Sequence, residues 1–470
     1  MAEKKEKDEK SEIEKKLFVE RKSAWEILDK KEIKDSFELA EEYKLFLNEN
    51  KSEREIVAFA KKTVEKKGFV DISKATASSK KIFAINHDKN ILILDLSEGK
   101  ISNGLRILGS HIDSVRLDFK LSPVYESDGF AMINLHYYGG IKKYHWLNVP
   151  LAMHGVVFDK KGNKINISLG EKESEPVFVI SDLLPHLEGK EFESEKATEI
   201  IKGEDMDAIG ASMPIDDKKV KEKIKATFLK ALNDKYNIIE EDFISAEVSL
   251  YPATKARDVG VDKAIIGAPA HDDRACSFVA LKSLLDSKSR FPSAVLFVDK
   301  EEIGSTGNTA MSSIFLEETL TKIAKMKGEK VSGQEILFNS MAISADGTSG
   351  LDTKYMDKMD LTNVNKMGHG IAIEKATGSG GKYYGSDANA EYMSFIRQIL
   401  GKANVPFQYG EMGKVDQGGG GTIAYLLAKY NMNIVDAGPP ILAMHSPFEL
   451  LSKIDLYCTY KAYKAFLELK

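Results

Sequence analysis

The second half of the chain alternates short apolar runs with amphipathic segments, and this alternation limits the possible folds more than any other feature. The apolar runs predict strands at Ala294–Val298, Met341–Ser344 and Ile434–Asp436. The amphipathic segments predict helices at Ser277–Asp286, Leu316–Met326, Ala388–Leu400 and Thr422–Lys429. Because strands that alternate with helices pack as a sheet covered by helices, the sequence predicts an α/β fold.

A segment with a different sequence pattern interrupts this alternation of strands and helices. Between about residues 121 and 251, short β-like runs are separated by Gly, Asn and Asp turns. The runs are Phe130–His136, Val156–Phe158, Ile165–Ile167 and Val177–Ile180, and the one clear helix candidate is Asp216–Asn233. We therefore expect residues 1–118 and 259–470 to form one α/β domain, interrupted by a β-rich insertion at residues 119–258.

The N-terminal part contains local sequence patterns that predict secondary structure. Residues 2–16 are almost all charged or polar, which predicts a frayed tail or an exposed helix start. An apolar stripe over residues 23–48 predicts a helix, and Ser52 followed by Glu55 is a capping-box pattern. The runs Ile82–Ile85 and Ile91–Leu94 flank a polar turn and predict a hairpin.

The composition argues against several classes of protein. The net charge is -5, with 67 basic and 72 acidic side chains, so nothing indicates a nucleic-acid partner. Only Cys276 and Cys458 are present, which favours a reducing compartment over a disulfide framework. The N-terminus has no apolar signal core, and no apolar stretch approaches the length of a membrane span. We expect a cytoplasmic protein with no membrane partner.

Five groups of polar residues lie at or just beyond predicted strand and turn ends. In open α/β sheets, ligands and catalytic residues gather at that edge. The groups are Gly109-Ser110-His111-Ile112-Asp113, His271-Asp272-Asp273-Arg274, Asp299-Lys300-Glu301-Glu302, Ser344-Ala345-Asp346 and Met444-His445-Ser446. Each group alone is weak evidence for a catalytic or metal site, since such residues often make surface hydrogen bonds or cap helices. Their occurrence together is far less expected by chance.

These groups supply the side chains of a dinuclear metal site. Two His, two Asp and one Glu suffice for two ions that share a bridging carboxylate. Imidazole and carboxylate ligands suit zinc, with cobalt or manganese as alternatives. The pair Glu301-Glu302 offers one carboxylate to a metal and one, left unligated, as a general base.

The order of these groups resembles the aspartyl aminopeptidase and aminopeptidase I family of dinuclear zinc metallopeptidases. The resemblance extends over nearly the whole chain after about Glu41. Its longest stretches are Ser110–Asp118, Tyr137–Tyr144, Pro150–Gly155, Ser181–Leu187 and Gly419–Ile423. It implies a three-layer α/β/α catalytic domain with an inserted β-rich domain. It also implies hydrolysis of the N-terminal residue of peptides that carry a free N-terminus.

The resemblance assigns the metal ligands by position. His111, Asp272 and Asp346 would hold one ion, and Asp272, Glu302 and His445 would hold the other, with Asp272 as the bridge. Because five different loops or strand ends would have to meet, this assignment is a prediction about the tertiary structure.

The resemblance also assigns the remaining catalytic roles. Glu301 would be the general base, and Asp113 would orient the imidazole of His111, as carboxylates commonly do for ligating histidines. The inserted domain would mediate contacts in a tetrahedral dodecamer. In that assembly a His from the insertion reaches a neighbour's active site, and His154 is the candidate here, with a buried structural His as the alternative.

Several points stay open at this level. Aspartyl-specific enzymes of this family carry a basic residue near Gly370–Lys375, where either Lys375 or Glu374 could face the substrate, so the preferred N-terminal residue is undecided. His271 is interpreted as a structural residue or as one that supports a metal ligand. Two alternative functions are a related di-metal deacetylase or carboxypeptidase, which would accept N-acetylated substrates, and an inactive scaffold, which would have lost a ligand or the base.

Overall fold

A computed structural model describes residues 11–187, 196 and 199–470. The predicted polar tail at residues 2–16 lies partly outside these residues, and its described part forms the exposed helix α1. The α-helices are α1 (Glu12–Leu17), α2 (Ala24–Ile27), α3 (Lys30–Glu49), α4 (Glu53–Lys66), α5 (Lys223–Tyr236), α6 (His271–Asp286), α7 (Phe315–Met326), α8 (Gly333–Phe338), α9 (Ala390–Lys402), α10 (Ala424–Ala428) and α11 (Lys453–Glu468).

The strands fall into one large central sheet and three smaller sheets. They are β1 (Val70–Asp71), β2 (Lys81–Asn86), β3 (Asn90–Asp95), β4 (Arg106–His111), β5 (Arg116–Ser127), β6 (Phe130–Tyr138), β7 (Leu151–Phe158), β8 (Lys164–Leu169), β9 (Ala208–Ala211), β10 (Ala246–Pro252), β11 (Arg257–Val259), β12 (Ile265–Ala268), β13 (Ser293–Val298), β14 (Met341–Ser344), β15 (Thr348–Ser349), β16 (Ile371–Glu374), β17 (Gly378–Ser379), β18 (Phe407–Tyr409), β19 (Gly419–Gly420), β20 (Asn433–Gly438), β21 (Pro440–Leu442) and β22 (Glu449–Ser452).

The central sheet has nine strands in the order β1-β2-β3-β13-β4-β14-β20-β16-β18. Its middle strands β13, β4, β14 and β20 run parallel to one another. Their carboxyl ends therefore open on the same edge of the sheet, which is the edge where α/β proteins bind their ligands.

Helices cover both faces of this sheet. Successive residues of β4 show the division, because Leu108 packs into the core beneath α3, α4, α6, α9 and α11. Ile107 packs on the opposite face, beneath α7, α8 and α10. Buried strands with apolar side chains on both faces are typical of parallel sheets. The prediction of a three-layer α/β/α fold is confirmed.

The insertion forms its own six-stranded antiparallel sheet, in the order β8-β7-β10-β5-β6-β9. A separate apolar core, which includes Trp146 and Phe228, lies between this sheet and α5. The strands of this sheet begin at Arg116 and end at Pro252. The division at residues 118/119 and 258/259 stays a prediction, close to these strand bounds.

Two predicted elements were wrong. Val177–Ile180 makes only isolated bridges, Leu151 with Phe178 and Val179 with Ile209, instead of a strand. The helix predicted from Asp216 starts at Lys223. The carboxylate of Glu126 in β5 accepts hydrogen bonds from the backbone N–H groups of Ile224 (2.8 Å) and Lys225 (3.0 Å). This tertiary contact caps the helix start, and local sequence could not supply it.

The predicted hairpin is confirmed by β2 and β3, and the capping box at Ser52 and Glu55 is formed at α4. The single helix predicted over residues 23–48 is divided in two, because Asp29 caps the start of α3. Among the described residues, no helix is both long and apolar enough to cross a bilayer.

The carboxylate cap on α5 leads to a stability prediction. Replacing Glu126 with Ala removes the acceptor of two helix N–H groups, so we expect the first turn of α5 to lose about 1 kcal/mol of local stability. Hydrogen exchange of the peptide covering residues 223–228 should accelerate by about fivefold. The matched control is Glu222→Ala, because the Glu222 side chain makes no capping hydrogen bond. Equal exchange in the two variants would contradict the capping role.

Candidate metal centre and active site

The five predicted groups meet at the carboxyl edge of the central sheet. His111 ends β4, Asp346 follows β14, and Glu301 and Glu302 follow β13. These strands are adjacent and parallel, so their ends deliver the side chains to one place. Asp272 lies at the start of α6, where its φ and ψ of −81° and 109° depart from helical values. His445 follows β21 with φ of +64°.

Asp272 lies between the two histidines. Its Oδ1 atom is 3.2 Å from Nε2 of His111, and its Oδ2 atom is 3.1 Å from Nε2 of His445. Nε2 of His445 is also 3.3 Å from Oε2 of Glu302. One carboxylate therefore presents a different oxygen to each imidazole, which is the arrangement that a bridging ligand requires.

The other ring nitrogen of each histidine has a separate partner. Nδ1 of His111 donates to the backbone carbonyl of Asp113 at 3.1 Å, and Nδ1 of His445 donates to the backbone carbonyl of Gly140 at 2.8 Å. Because a carbonyl only accepts, Nδ1 carries a proton in each ring, and Nε2 is the nitrogen left to bind a metal ion beside the carboxylates. Metal-ligating histidines are oriented in this way.

Two groups of side chains could each hold a metal ion. Ligand atoms of Asp272, Glu302 and His445 lie within 4.8 Å of one another, as do those of His111, Asp273 and Asp346. Oε1 of Glu302 and both carboxylate oxygens of Asp273 are buried with no hydrogen-bond partner in the described part of the chain. Buried unpaired carboxylate oxygens are costly, and divalent cations would satisfy them. The residues therefore fit a pair of metal ions.

Asp273 is a candidate ligand that the sequence analysis did not single out. It is fully buried beside the His111 and Asp346 ligand atoms. The sequence feature that could have identified Asp273 as a ligand is the dipeptide Asp272-Asp273. Local sequence does not determine that both side chains of the pair point toward the metal centre, because an Asp pair at this position is also typical of a helix start.

The cluster formed by the candidate ligands and the neighbouring carboxylates carries a large excess of negative charge. No Lys or Arg lies within 4.0 Å of its carboxylates among the residues that the structure describes. Burial raises the pKa of Glu301 to about 7 and the pKa of Glu302 well above its ordinary range. Burial lowers the pKa of His445, but Asp272 and Glu302 outweigh this effect and raise it to about 10. The site electrostatically favours cations at its centre. The carboxylates are Asp113, Asp272, Asp273, Glu301, Glu302, Asp346 and Glu449.

Asp113 holds the turn that carries the two glutamates. Its Oδ1 atom accepts from the backbone N–H of Glu301 at 3.1 Å, and its Oδ2 atom accepts from that of Glu302 at 3.2 Å. The hydroxyl of Tyr138 donates to the same Oδ2 atom at 2.9 Å. Nδ1 of His111 is 3.4 Å from Oδ1. Asp113 thus connects the His111 side of the cluster to the Glu301-Glu302 side.

Glu449 supports the opposite side of the cluster and was not found by sequence analysis. Its Oε2 atom accepts from the backbone N–H of Asp272 at 3.0 Å, and its Oε1 atom accepts from that of His445 at 2.8 Å. It is completely buried, and burial raises its pKa to about 8. No local motif marks Glu449, since its role depends on the pairing of β22 with β12 and β21.

His154 lies outside the cluster. It is 3% exposed in β7, with Nδ1 2.9 Å from Oε1 of Glu55 and Nε2 3.0 Å from Oε1 of Glu171. Both ring nitrogens thus have partners in the same chain. These contacts link α4 to the insertion, and a catalytic role of His154 stays a prediction.

His271 has the structural role expected for it. Its Nδ1 atom is 2.9 Å from the hydroxyl of Tyr43, and its Nε2 atom donates to the carbonyl of Ile266 at 3.1 Å. Burial lowers its pKa to about 4, so the ring is neutral at neutral pH. The imidazole packs in the core against the ring of Tyr43.

A cleft of about 900 Å³ opens in front of the cluster. Its walls include Asp272, Glu301, Glu302, Asp346 and His445, so the candidate ligands are open to a substrate. The other side of the cleft is built by the loops around β17 and β19, with Tyr384, Met412 and Gly418–Gly421. A cleft of this size, with a few polar groups at its base, is typical of an active site.

Glu374 and Lys375 are placed differently with respect to this cleft. Glu374 lines it, buried, and accepts hydrogen bonds from the Thr348 hydroxyl and, at 3.3 Å, from the Asn365 amide. Lys375 is half exposed and pairs with Asp387. Of the two alternatives left open by the sequence, Glu374 is the residue that faces the cleft.

Known proteins resemble this chain over nearly its full length. The family model described as aminopeptidase I zinc metalloprotease (M18) matches residues 46–467. A probable M18 family aminopeptidase 1 from Borrelia garinii is 44% identical over 436 residues, which cover 91% of this chain and 95% of the relative. A relative of the same name from Thermotoga maritima is 42% identical over 434 residues, with the same two coverages.

Solved structures agree with these sequence relatives. The crystal structure of the M18 family enzyme from Thermotoga maritima matches with a TM-score of 0.92 at 41% identity, over 96% of this chain and 99% of that one. A structure of the S. cerevisiae mApe1 dodecamer matches with a TM-score of 0.73 at 20% identity, over 91% and 96% of the two chains, and supports the fold alone. The chain therefore belongs to the M18 family of aminopeptidase I zinc metalloproteases, and it is a metal-dependent aminopeptidase that hydrolyses peptide bonds.

Proposed function

We propose that this enzyme removes the N-terminal residue of peptides with two divalent metal ions, zinc first and cobalt or manganese as alternatives, and with Glu301 as the general base. The observation that carries the proposal is the position of Asp272, whose two oxygens each face the Nε2 atom of a different histidine. A carboxylate shared in this way suits two cations at close distance.

The proposed ligands combine the family resemblance with the two groups of side chains described above. One ion would be held by His111, Asp346 and the shared Asp272, whose Oδ1 atom is 3.2 Å from Nε2 of His111. Asp273 lies in the same group as His111 and Asp346 and is a further candidate ligand. Asp272, Glu302 and His445 would hold the other ion. The donor set of imidazole and carboxylate suits zinc, cobalt and manganese.

When bound, metal ions would supply Lewis-acid chemistry here: they would polarise the scissile carbonyl and lower the pKa of the attacking water. Glu301 lines the cleft beside the proposed ligands but belongs to neither metal group. Its carboxylate takes the proton of the water and returns it to the leaving amine. Asp113 keeps the Glu301 backbone in place and orients His111. The surplus of carboxylates in the cleft suits a substrate with a free α-amino group.

We propose that the cleft prefers basic or neutral N-terminal residues over acidic ones. Glu374 lines the cleft, and burial raises its pKa to about 7 even though Thr348 and Asn365 donate to it. Glu411 adds a second carboxylate to the lining. An acidic substrate side chain would meet like charge there, whereas a lysyl or arginyl side chain would gain a charged hydrogen bond.

We also propose that the chain forms a homo-oligomer, a tetrahedral dodecamer, through its insertion. The insertion exposes large apolar side chains, among them Leu121, Leu187 and Ile244, which are 65–69% exposed. Apolar surface of this kind marks contact sites. The S. cerevisiae mApe1 structure is that of a dodecamer. A cytoplasmic location accords with Cys276 and Cys458, which lie buried and unpaired.

The role of Glu301 can be tested by Glu301→Gln. The amide keeps the shape of the side chain but cannot accept a proton, so we expect kcat to fall by about 10²–10⁴-fold with the metal content unchanged. Steady-state kinetics together with elemental analysis measure both quantities. The control is Glu318→Gln, an exposed glutamate on α7. Full activity in Glu301→Gln would exclude this residue as the base.

Asp272→Asn provides the contrasting variant. A neutral amide has only one oxygen and no charge, so it is a poor bridge between two cations. We expect this variant to lose metal as well as activity. Elemental analysis that found two ions per chain in Asp272→Asn would contradict the bridging role.

Selectivity can be tested with aminoacyl reporter substrates. Glu374 becomes ionised as the pH rises through about 7, so the ratio of kcat/KM for a lysyl over a leucyl reporter should rise between pH 6 and pH 8. The free amino group is common to both substrates, and its titration cancels in the ratio. Glu374→Gln should lower the ratio at pH 8 by about tenfold and remove its pH dependence. The control is Lys375→Met; an unchanged ratio in Glu374→Gln would contradict the assignment.

The oligomer can be tested by light scattering of the full chain. The proposal expects a mass close to twelve times the 52.2 kDa of one chain. A mass of one or two chains at micromolar concentration would contradict it.

A further inference from the structure

A small cavity lies behind the segments that carry the metal ligands, where the α/β domain meets the inserted sheet. Its volume is about 10 Å³, which is room for about one water-sized group. Ser114 and Ser446, which directly follow Asp113 and His445, form part of its wall. Its other polar lining residues are Lys51, Trp146, Tyr251 and Arg274. The wall thus contains two cationic side chains, and the lining includes no carboxylate.

Arg274 is a buried guanidinium without a carboxylate partner. It is 1% exposed, and no carboxylate oxygen lies within 4.0 Å of it in the described ranges 11–187, 196 and 199–470. One terminal nitrogen donates to the carbonyl of Lys51 and, at 3.0 Å, to the hydroxyl of Ser114. Its Nε–H has no acceptor among the described residues. A buried charge of this kind is costly unless an anion compensates it.

Lys51 adds a second buried cation. It is 1% exposed, and its Nζ atom is 3.9 Å from Oε1 of Glu171, which is outside hydrogen-bonding distance. Glu171 is already engaged by His154, at 3.0 Å, and by Lys255. Burial lowers the pKa of Lys51 to about 8, which reflects its incomplete compensation. The ammonium group therefore retains capacity for another negative partner.

Trp146 lines the same cavity and carries a neutral donor. Its side chain is fully buried, and its Nε1–H has no acceptor in the part of the chain that the structure describes. Indole nitrogen can only donate, as can the guanidinium and the ammonium. The unmatched groups of Lys51, Trp146 and Arg274 thus all require an acceptor.

We propose that this cavity binds a monatomic monovalent anion, namely chloride. An anion accepts hydrogen bonds from every direction, and its single negative charge offsets part of the positive charge of the two buried cations. A water molecule could accept at most two of these bonds and carries no charge, so it would leave at least one donor unmatched and the two cations uncompensated. The one-atom size of the cavity excludes phosphate and carboxylate ligands.

The bound chloride joins segments that carry parts of the metal centre. Ser114 and Ser446 adjoin Asp113 and His445, and Arg274 lies two residues after Asp272. Chloride therefore stabilises the folded arrangement of these segments from behind. This role goes beyond the proposed peptidase mechanism, since no step of the hydrolysis involves the anion.

The first test locates the anion directly. The metal-loaded enzyme is crystallised in sodium bromide, and anomalous diffraction is recorded at the bromine edge. We expect a peak within hydrogen-bonding distance of Nε1 of Trp146 and Nε of Arg274. Density for water without anomalous signal at that position would overturn the proposal, and it would leave the peptidase function untouched.

The second test measures stability and does not depend on activity. At constant ionic strength, replacing gluconate with chloride should raise the melting temperature of the metal-loaded enzyme by about 2–4 °C. Trp146→Phe keeps the ring but removes the donor, and Lys51→Met keeps the stem but removes the charge. Both variants should lose most of this shift. If Lys51→Met does not fold, Trp146→Phe carries the test.

The matched control is Lys255→Met, which removes another lysine that pairs with Glu171 but does not line the cavity. This variant should keep the full chloride-dependent shift. Equal melting temperatures in chloride and gluconate for the unmodified enzyme would overturn the proposal. So would an equal loss of the shift in Lys255→Met and Lys51→Met, because it would indicate a general effect of surface charge.

Discussion

The structure of the active site depends on one carboxylate, that of Asp272, which lies between two imidazoles at 3.1–3.2 Å. His111 comes from a strand of the central sheet and His445 from the turn after β21, so Asp272 joins distant parts of the chain. The surrounding carboxylates would repel one another strongly in a buried site without cations. Metal binding is therefore coupled to the stability of this edge of the sheet.

Two further carboxylates hold the backbone around this bridge. Asp113 accepts the N–H groups of Glu301 and Glu302, and Glu449 accepts those of Asp272 and His445. Each uses both of its carboxylate oxygens: Asp113 binds two adjacent N–H groups of one turn, and Glu449 joins two segments that are distant in the chain. Their effect is to fix the proposed base and ligands relative to each other before substrate arrives, which is the condition for an efficient positioned site.

Two charged environments flank the ligand-bearing segments. The cleft side collects carboxylates, whereas the side toward the insertion contains the buried cations Lys51 and Arg274. Arg274 belongs to the same helix as Asp272, so α6 contributes to both environments. The proposed anion would offset part of the charge in the second environment, as metal ions would in the first.

The sequence by itself determined the α/β layering, the β-rich insertion and the identity of the residues that meet at the sheet edge. It could do so because apolar periodicity specifies strands and helices, and because parallel strands deliver their carboxyl ends to one edge. Only the tertiary structure decided the roles of Asp273, Glu449 and Glu126, the placement of Glu374 rather than Lys375 in the cleft, and the enclosure of His154 between Glu55 and Glu171. Each of these depends on which side chain faces a partner far away in the chain, and no local pattern specifies that direction.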